Sequence, residues 1–179
     1  MILAARESFW CWFWGIFSTA LWAYATYTLY DLYIDALLQV FYVCVSFFGI
    51  YQWMKGSKQN DELQISTLNT NQHFLLIGGG LVLSFLVGYF FAAYTGAAAT
   101  YLDAFTTVFS IIATFMVVRK ILENWIYWIV VDAVYVYLYF TRGSVLFTLL
   151  MVVYTVIAIF GYLEWKKKIA QKSDLKTTT

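Results

Sequence analysis

Residues 121–140 read ILENWIYWIVVDAVYVYLYF. Two tryptophans three apart open an apolar run, and a single carboxylate, Asp132, interrupts it. At 3.6 residues per turn, Trp125, Trp128, Asp132, Tyr135 and Tyr139 fall on one stripe, and the remaining positions are almost all Ile, Val, Ala and Leu. A carboxylate near the centre of a bilayer costs about 3 kcal/mol or more. The stripe is therefore expected to face a bundle interior or water, with lipid against the rest. The segment reads as a membrane-spanning helix with one functional face.

The whole chain has the same character. Its 179 residues are 63% hydrophobic and 12% charged, with a mean hydropathy of +0.72; soluble domains are roughly a quarter charged. A water-soluble domain of this length has too little interior for so much apolar surface, so an all-α integral membrane protein is predicted. A spanning helix needs about 20 mostly apolar residues, and six stretches qualify: 9–30, 34–54, 74–94, 101–118, 125–140 and 145–165. Alternating barrel strands of about 10 residues do not describe them. With no proline and ten glycines, any helix break would fall at glycine.

Other function classes find little support. A net charge of +1, with no basic patch outside the C-terminal tail, excludes nucleic acid as a partner. Cys11 and Cys44 lie in apolar stretches as small hydrophobes, and His73, the single histidine, stands far from both in sequence. Clustered metal ligands are not seen, and no cofactor is predicted. A lysine for a Schiff base inside a span and a nucleophile–base pair are missing too, so the chain is not read as an enzyme.

Basic residues set orientation by their excess on the cytoplasmic side. If the tail is cytoplasmic, Arg6, Lys55, Lys58, Arg119, Lys120, Lys166, Lys167, Lys168, Lys172 and Lys176 share that side, and Arg142 alone lies opposite. Asp31, Asp35 and Asp103 fall near the outer ends. The residues from Lys166 onward form a tail expected to be disordered at its end.

Two segments resemble each other. ESFWCWFWGIF leads to FGIYQWMK, and ENWIYWIVVDA leads to FGYLEWKK. Aligned on their glutamates, Glu7 to Trp53 spans 46 residues (53 − 7) and Glu123 to Trp165 spans 42 (165 − 123). The extra four are assigned to the YDLYID turn. Both units start from the same side, which makes a parallel repeat of a kind used by transporters. A full helix precedes the second unit but only MILAA precedes the first. The expectation is six complete spans plus a truncated first helix: a three-helix unit (1–55), a cytoplasmic loop (56–73), a linker helix (74–95), a second three-helix unit (96–167) and a cytoplasmic tail (168–179). The GGG of the linker lacks the Lys-Ser/Thr of a phosphate loop and reads as packing.

Helical spacing marks stripes on the other spans: Trp12, Gly15, Thr19, Trp22, Thr26; Asp35, Gln39, Tyr42, Ser46, Gly49, Trp53; Asp103, Thr107, Ser110, Thr114; and Ser144, Thr148, Met151, Thr155, Ala158, Tyr162. Five such stripes predict a hydrated pathway or ligand pocket. Belts at the membrane interface compete as an explanation for Trp10, Trp14, Tyr27, Tyr30 and Tyr33, and helix–helix hydrogen bonds for the Ser and Thr residues. For Gln39 and Asp132 the alternative is an interhelical hydrogen bond. Aromatic faces attract flat rings and cations, a carboxylate adds attraction for positive charge, and Gln and Tyr bind hydroxyls. The ligand expected is small and planar, neutral or cationic, with an alcohol or polyol part.

LLQVFY, GIYQW, YLDAFTTVFSIIATFMVVRKILENWIYWIVVD and FGYLEWKK resemble the PnuC family of vitamin-precursor transporters, chiefly for nicotinamide riboside. The RKxxENWxxW segment (Arg119, Lys120, Glu123, Asn124, Trp125, Trp128) carries most of the likeness. The resemblance implies a SWEET-like 3+1+3 arrangement in the inner membrane, facilitated diffusion with trapping by a cytoplasmic kinase, and a homotrimer. It also implies a substrate site that includes Trp125 and Trp128 of the WxxW motif, with Asn124 beside them and Gln39 close by. With the stripes, the candidate site is Trp125, Trp128, Asn124, Asp132, Gln39, Tyr42 and Tyr135. Related members are expected to carry thiamine or riboflavin, and a proton-coupled mechanism through Asp132 or Asp103 is the other alternative.

Overall fold

A computed structural model describes residues 1–28, 33–58, 63–94 and 100–177. Asp31 and Tyr30 lie outside these residues. So do the side chains of Thr26, Tyr33, Asp35, Lys55, Lys58 and Lys176.

Among the described residues, seven helices follow one another: α1 (Ile2–Ala5), α2 (Trp10–Thr28), α3 (Tyr33–Lys58), α4 (Thr70–Tyr94), α5 (Thr100–Val118), α6 (Asn124–Thr141) and α7 (Val145–Thr177). The six long ones coincide with the six predicted spans. Thr70–Tyr94, Tyr101–Val118 and Val145–Lys172 are long and apolar enough to cross a membrane by length and composition alone. The helices α2 and α6 are dense in Trp and Tyr, residues that prefer the interface over the hydrocarbon. Between α3 and α4, the described residues form an extended segment. Ser66 N–H donates to the Lys120 carbonyl (3.0 Å) and Leu122 N–H to the Ser66 carbonyl (2.8 Å), and Leu68 N–H donates to Glu123 Oε2 (3.1 Å). The segment thus seals the turn between α5 and α6.

The tail is helical farther than expected: α7 continues through Thr177, and Thr178 and Thr179 lie outside the described residues. Lys, Ala, Gln and Leu are good helix formers, and no Gly or Pro interrupts them.

The helices pair as α2 with α3, α6 with α7, and α4 with α5, while α5 also meets α6 and α3. Helix α4 lies at the edge. Only Gly80, Ser84 and Gly88 on it are buried, four residues apart on one face. A Cβ at Gly80 would lie 2.8 Å from the Phe109 ring, and one at Gly88 2.6 Å from the Tyr101 ring, whereas Gly78 and Gly79 face open space. The glycine run therefore serves packing at a single position. Its large residues, such as Phe74, Leu75 and Phe85, are exposed, as lipid-facing residues are.

Two pairs of features are built alike. First, α2 and α3 meet where Trp12 covers Gly49 and stands edge-on to Trp53 (centroids 5.6 Å, 89°). Likewise α6 and α7 meet where Trp125 covers Gly161 and stands edge-on to Trp165 (5.4 Å, 85°). Second, α1 and α5 end in the same Schellman turn: Glu7 N–H to Ala4 carbonyl and Ser8 N–H to Leu3 carbonyl, against Lys120 N–H to Val117 carbonyl and Ile121 N–H to Met116 carbonyl. Glu7 (φ 56) and Lys120 (φ 50) occupy the left-handed position. That position normally takes glycine, as Gly143 (φ 73) does after α6, and disfavours other residues by about 1–3 kcal/mol. The two strained residues join each other: Lys120 Nζ donates to Glu7 Oε2 at 2.7 Å, and Lys168 Nζ to Glu7 Oε1 at 2.8 Å. The equivalents are Trp12 with Trp125 and Glu7 with Lys120. These contacts differ from the glutamate-on-glutamate match read from the sequence, which pairs Glu7 with Glu123. From Trp12 to Trp53 is 41 residues (53 − 12), and from Trp125 to Trp165 is 40 (165 − 125).

Candidate functional site: an aromatic cavity between the two helix pairs

Each WxxW tryptophan does a different job. Trp125 is buried at 1% exposure between Gly161 and Trp165, so its ring is fixed by packing. Trp128, one turn on, is half-buried and borders three separate buried clusters. Both line a cavity of about 170 Å³, together with Trp12 and Gly15 from α2, Ser46 from α3 and Thr114 from α5. Met1 and Ala4 close one side.

The polar groups of this wall are partly spent. Ser46 Oγ donates to the Tyr42 carbonyl (2.8 Å) and Thr114 Oγ1 to the Ser110 carbonyl (2.7 Å), leaving their oxygens as acceptors. Asn124, fully buried, donates through Nδ2 to the Ile121 carbonyl (2.6 Å). Among the described residues, four buried polar atoms have no partner: Trp12 Nε1, Trp125 Nε1, Asn124 Oδ1 and Asp132 Oδ2. Such atoms are rare in folded proteins and call for a specific explanation. Two are indole donors on cavity-lining residues, one is an amide acceptor beside them, and one is a carboxylate.

The remaining predicted residues sit farther along the same faces. Asp132, 2% exposed, lies one turn beyond Trp128 on α6, with Tyr135 about a turn further; Tyr135 stacks on Tyr139 (5.8 Å, 16°). On α3, Tyr42 lies one turn from Ser46 and is half-buried. Gln39 follows and is half-buried. Thus Trp125 and Trp128 come together at the cavity with Asn124 beside them, whereas Asp132, Tyr135, Tyr42 and Gln39 do not line it. The stripes differ in the same way. On α2, Trp12 and Gly15 face inward but Trp22 is exposed. On α7, the inward face packs on Trp125 and leaves the cavity to other helices. On α5, Thr106, off the expected stripe, is buried and donates to the Asp103 carbonyl.

Trp12, Gly15, Ser46 and Thr114 belong to the stripes yet are not singled out by the motif; the signal for Trp12 was its spacing to Gly49 and Trp53. Lys120, grouped by sequence with the basic residues of one side, is buried at 7% exposure. At the far end, Arg142 pairs with Asp103 at 3.1 Å in a half-exposed contact. Among the described residues no group of three or more His, Cys, Asp and Glu side chains is placed to hold a metal.

The sequence model of the family described as Nicotinamide mononucleotide transporter matches residues 1–167. The nicotinamide riboside transporter PnuC of Neisseria mucosa is 30% identical over 89% of this chain and 64% of its own length. Its Escherichia coli counterpart is 26% identical over 91% of this chain and 78% of its own. The riboflavin/roseoflavin transporter RibM of Streptomyces davaonensis is 26% identical over 71% of the chain and 61% of its own. This chain thus spans a little under two thirds of the Neisseria protein and about three quarters of the Escherichia one. A crystal structure of the vitamin B3 transporter PnuC superposes with a TM-score of 0.70 at 26% identity, covering 94% of this chain and 76% of that one. With apolar helices throughout, an aromatic cavity between two helix pairs and a match over nearly its whole length, this chain belongs to the PnuC family of integral membrane transporters.

Proposed function

We propose that this chain carries nicotinamide riboside across the membrane through the aromatic cavity. The observation that carries the reading is a cavity walled by Trp12, Trp125 and Trp128 whose two buried indole donors have no protein partner. Nicotinamide riboside is a pyridinium cation with an amide and a ribose. An indole face stabilises such a cation by about 0.5–2 kcal/mol, and Trp128, half-buried, is the face free to receive it. The indole N–H groups suit amide and ribose oxygens, Asn124 Oδ1 suits a ribose hydroxyl, and Asp132 adds negative charge one turn away. At about 170 Å³ the cavity is below the usual ligand range of about 300–1,000 Å³, so Trp128 shifts when cargo is bound.

The paired Schellman turns and the paired Trp–Gly–Trp contacts support a parallel repeat with α4 as linker. The basic end, with Arg6, Lys120 and α7, is then cytoplasmic in the inner membrane, and the assembly is a homotrimer as in the resemblance. Transport is facilitated diffusion, with a cytoplasmic kinase drawing the cargo inward. Among the described residues, Asp132 Oδ2 has no protein hydrogen-bond partner and Asp103 is paired with Arg142, which favours the uncoupled reading. Uptake in cells should therefore survive collapse of the proton gradient.

The test is calorimetric binding of nicotinamide riboside, thiamine and riboflavin to the purified protein. Nicotinamide riboside should bind best, and Trp128→Ala should weaken it about two- to thirty-fold. Equal binding in that variant removes the cavity from the account, and a preference for riboflavin moves the chain toward its RibM-like relative.

A further inference from the structure

Beside the two Schellman turns lies a second cavity of about 460 Å³, walled by Arg6, Glu7, Ser8, Trp53, Lys120 and Lys168. It shares no residue with the aromatic cavity. Three of its wall residues are cations and one is a carboxylate. Glu7 accepts hydrogen bonds from both Lys120 and Lys168, so a single negative charge serves two ammonium groups, while Arg6 is unmatched within the wall. Lys120 Nζ also stands 4.8 Å over the Trp53 ring, and its side chain is only 9% exposed. Lys120, the one cation removed from water, has its counter-charge in Glu7, whereas Arg6 is exposed and Lys168 partly so, both open to an incoming anion. This wall carries more positive charge than it neutralises, around a space large enough to admit another group.

We propose that this cavity is a binding site for a phosphate-bearing anion. Arg6 presents a fork that matches phosphate oxygens, Lys168 and Lys120 add point charges with spare protons, and the Ser8 hydroxyl adds a donor. A doubly charged phosphomonoester balances the wall: three cations against Glu7 and two phosphate charges. Two sources share the phosphate chemistry: a soluble phosphomonoester such as the phosphorylated form of a nucleoside, which balances the wall fully, or a phospholipid headgroup at the membrane surface, a singly charged phosphodiester that leaves one cation over. The site does not depend on the identity of the transported cargo.

The test uses the full chain in neutral detergent at fixed ionic strength, titrated calorimetrically with inorganic phosphate and with nicotinamide mononucleotide. The same chain in phosphatidylcholine nanodiscs, with and without phosphatidylglycerol, is followed by thermal unfolding. Saturable binding of the soluble probes identifies a soluble source; stabilisation by phosphatidylglycerol alone identifies a headgroup, and either supports the site. The double variant Arg6→Gln/Lys168→Gln should bind about ten-fold more weakly or worse. Glu7→Gln, which removes the competing carboxylate, should bind several-fold more tightly, a gain that misfolding does not produce. Unchanged affinity in both variants, or no saturable response to any probe, overturns the proposal.

Discussion

The contacts Trp12–Gly49–Trp53 and Trp125–Gly161–Trp165 are the same construction used twice, and one turn beyond each the copies diverge. After Trp12 comes Gly15; after Trp125 comes Trp128. Further on, Thr19 stands where the other copy has Asp132, given the Trp12–Trp125 match. In the α2–α3 pair the position facing the cavity is emptied; in the α6–α7 pair it is filled with an aromatic ring and followed by a carboxylate. The shared part holds helices together, and the divergent part makes a one-sided cavity: room from one copy, chemistry from the other. Under the proposed function, that asymmetry on a common frame suits an unsymmetrical ligand.

The frame is broken most directly at its glycines. A Cβ would lie 2.5 Å from the Trp12 ring at Gly49 and 2.7 Å from the Trp125 ring at Gly161, closer than any side chain tolerates, so the rings must shift. Overpacking of this kind costs about 1–3 kcal/mol. Thermal unfolding in detergent should show Gly49→Ala and Gly161→Ala both destabilised to a similar extent. A large loss at only one of them would mean that the two contacts are not equivalent in energy.

Gly15 tests the divergent part. A Cβ there meets only Ser46 Oγ, at 3.4 Å, an ordinary contact, so the glycine is not required by packing. Gly15→Ala should unfold at the wild-type temperature, whereas Gly15→Leu fills the cavity and should weaken nicotinamide riboside binding about ten-fold or more without lowering stability. Undiminished binding in Gly15→Leu would place the cargo elsewhere.

The two turns that join the copies give a pH signature. Burial acts to raise the Glu7 carboxyl, but hydrogen bonds from Lys120 and Lys168 and their charges outweigh it and hold the group below its ordinary 4.5. A folded-state value below the unfolded one adds stability that is fully present above about pH 4.5. That stability fades as the pH falls through the depressed value. The wild type should therefore lose more thermal stability than Glu7→Gln over that acid range; parallel loss in both would remove the carboxylate from the joint.

The sequence shows the six long helices because each is an uninterrupted apolar run. It also shows the inward face of α3, since Ser46, Gly49 and Trp53 recur at helical spacing. Pairing of the two copies is legible in GIYQW and GYLEW, where glycine precedes tryptophan by four, but matching Glu7 with Glu123 hides it. Burial of Lys120 is not legible, because a lysine next to an arginine at a helix end looks solvated, and only the fold brings Glu7 to it from 113 residues away. Nor does periodicity reveal where the cavity stops: Trp128 and Asp132 share a face, yet only the former lines the space. A stripe gives direction around a helix and says nothing of depth along it.

The smallest effect expected tests how the copies are interlocked. Trp53 Nε1 donates to the Val118 carbonyl at the end of α5 (3.1 Å), and Trp165 Nε1 donates to the Ala5 carbonyl at the end of α1 (3.0 Å). Each tryptophan thus caps the helix that leads into the other copy, and its hydrogen bond crosses between them. Removing one such bond while keeping an aromatic ring should cost about 1 kcal/mol, so Trp53→Phe and Trp165→Phe should each lower the unfolding temperature slightly and by similar amounts. The double variant then reports coupling. Additive losses mean that the two crossings act independently. A double loss smaller than the sum means that opening one crossing already frees the other, as a joint that moves as a unit between the two copies requires.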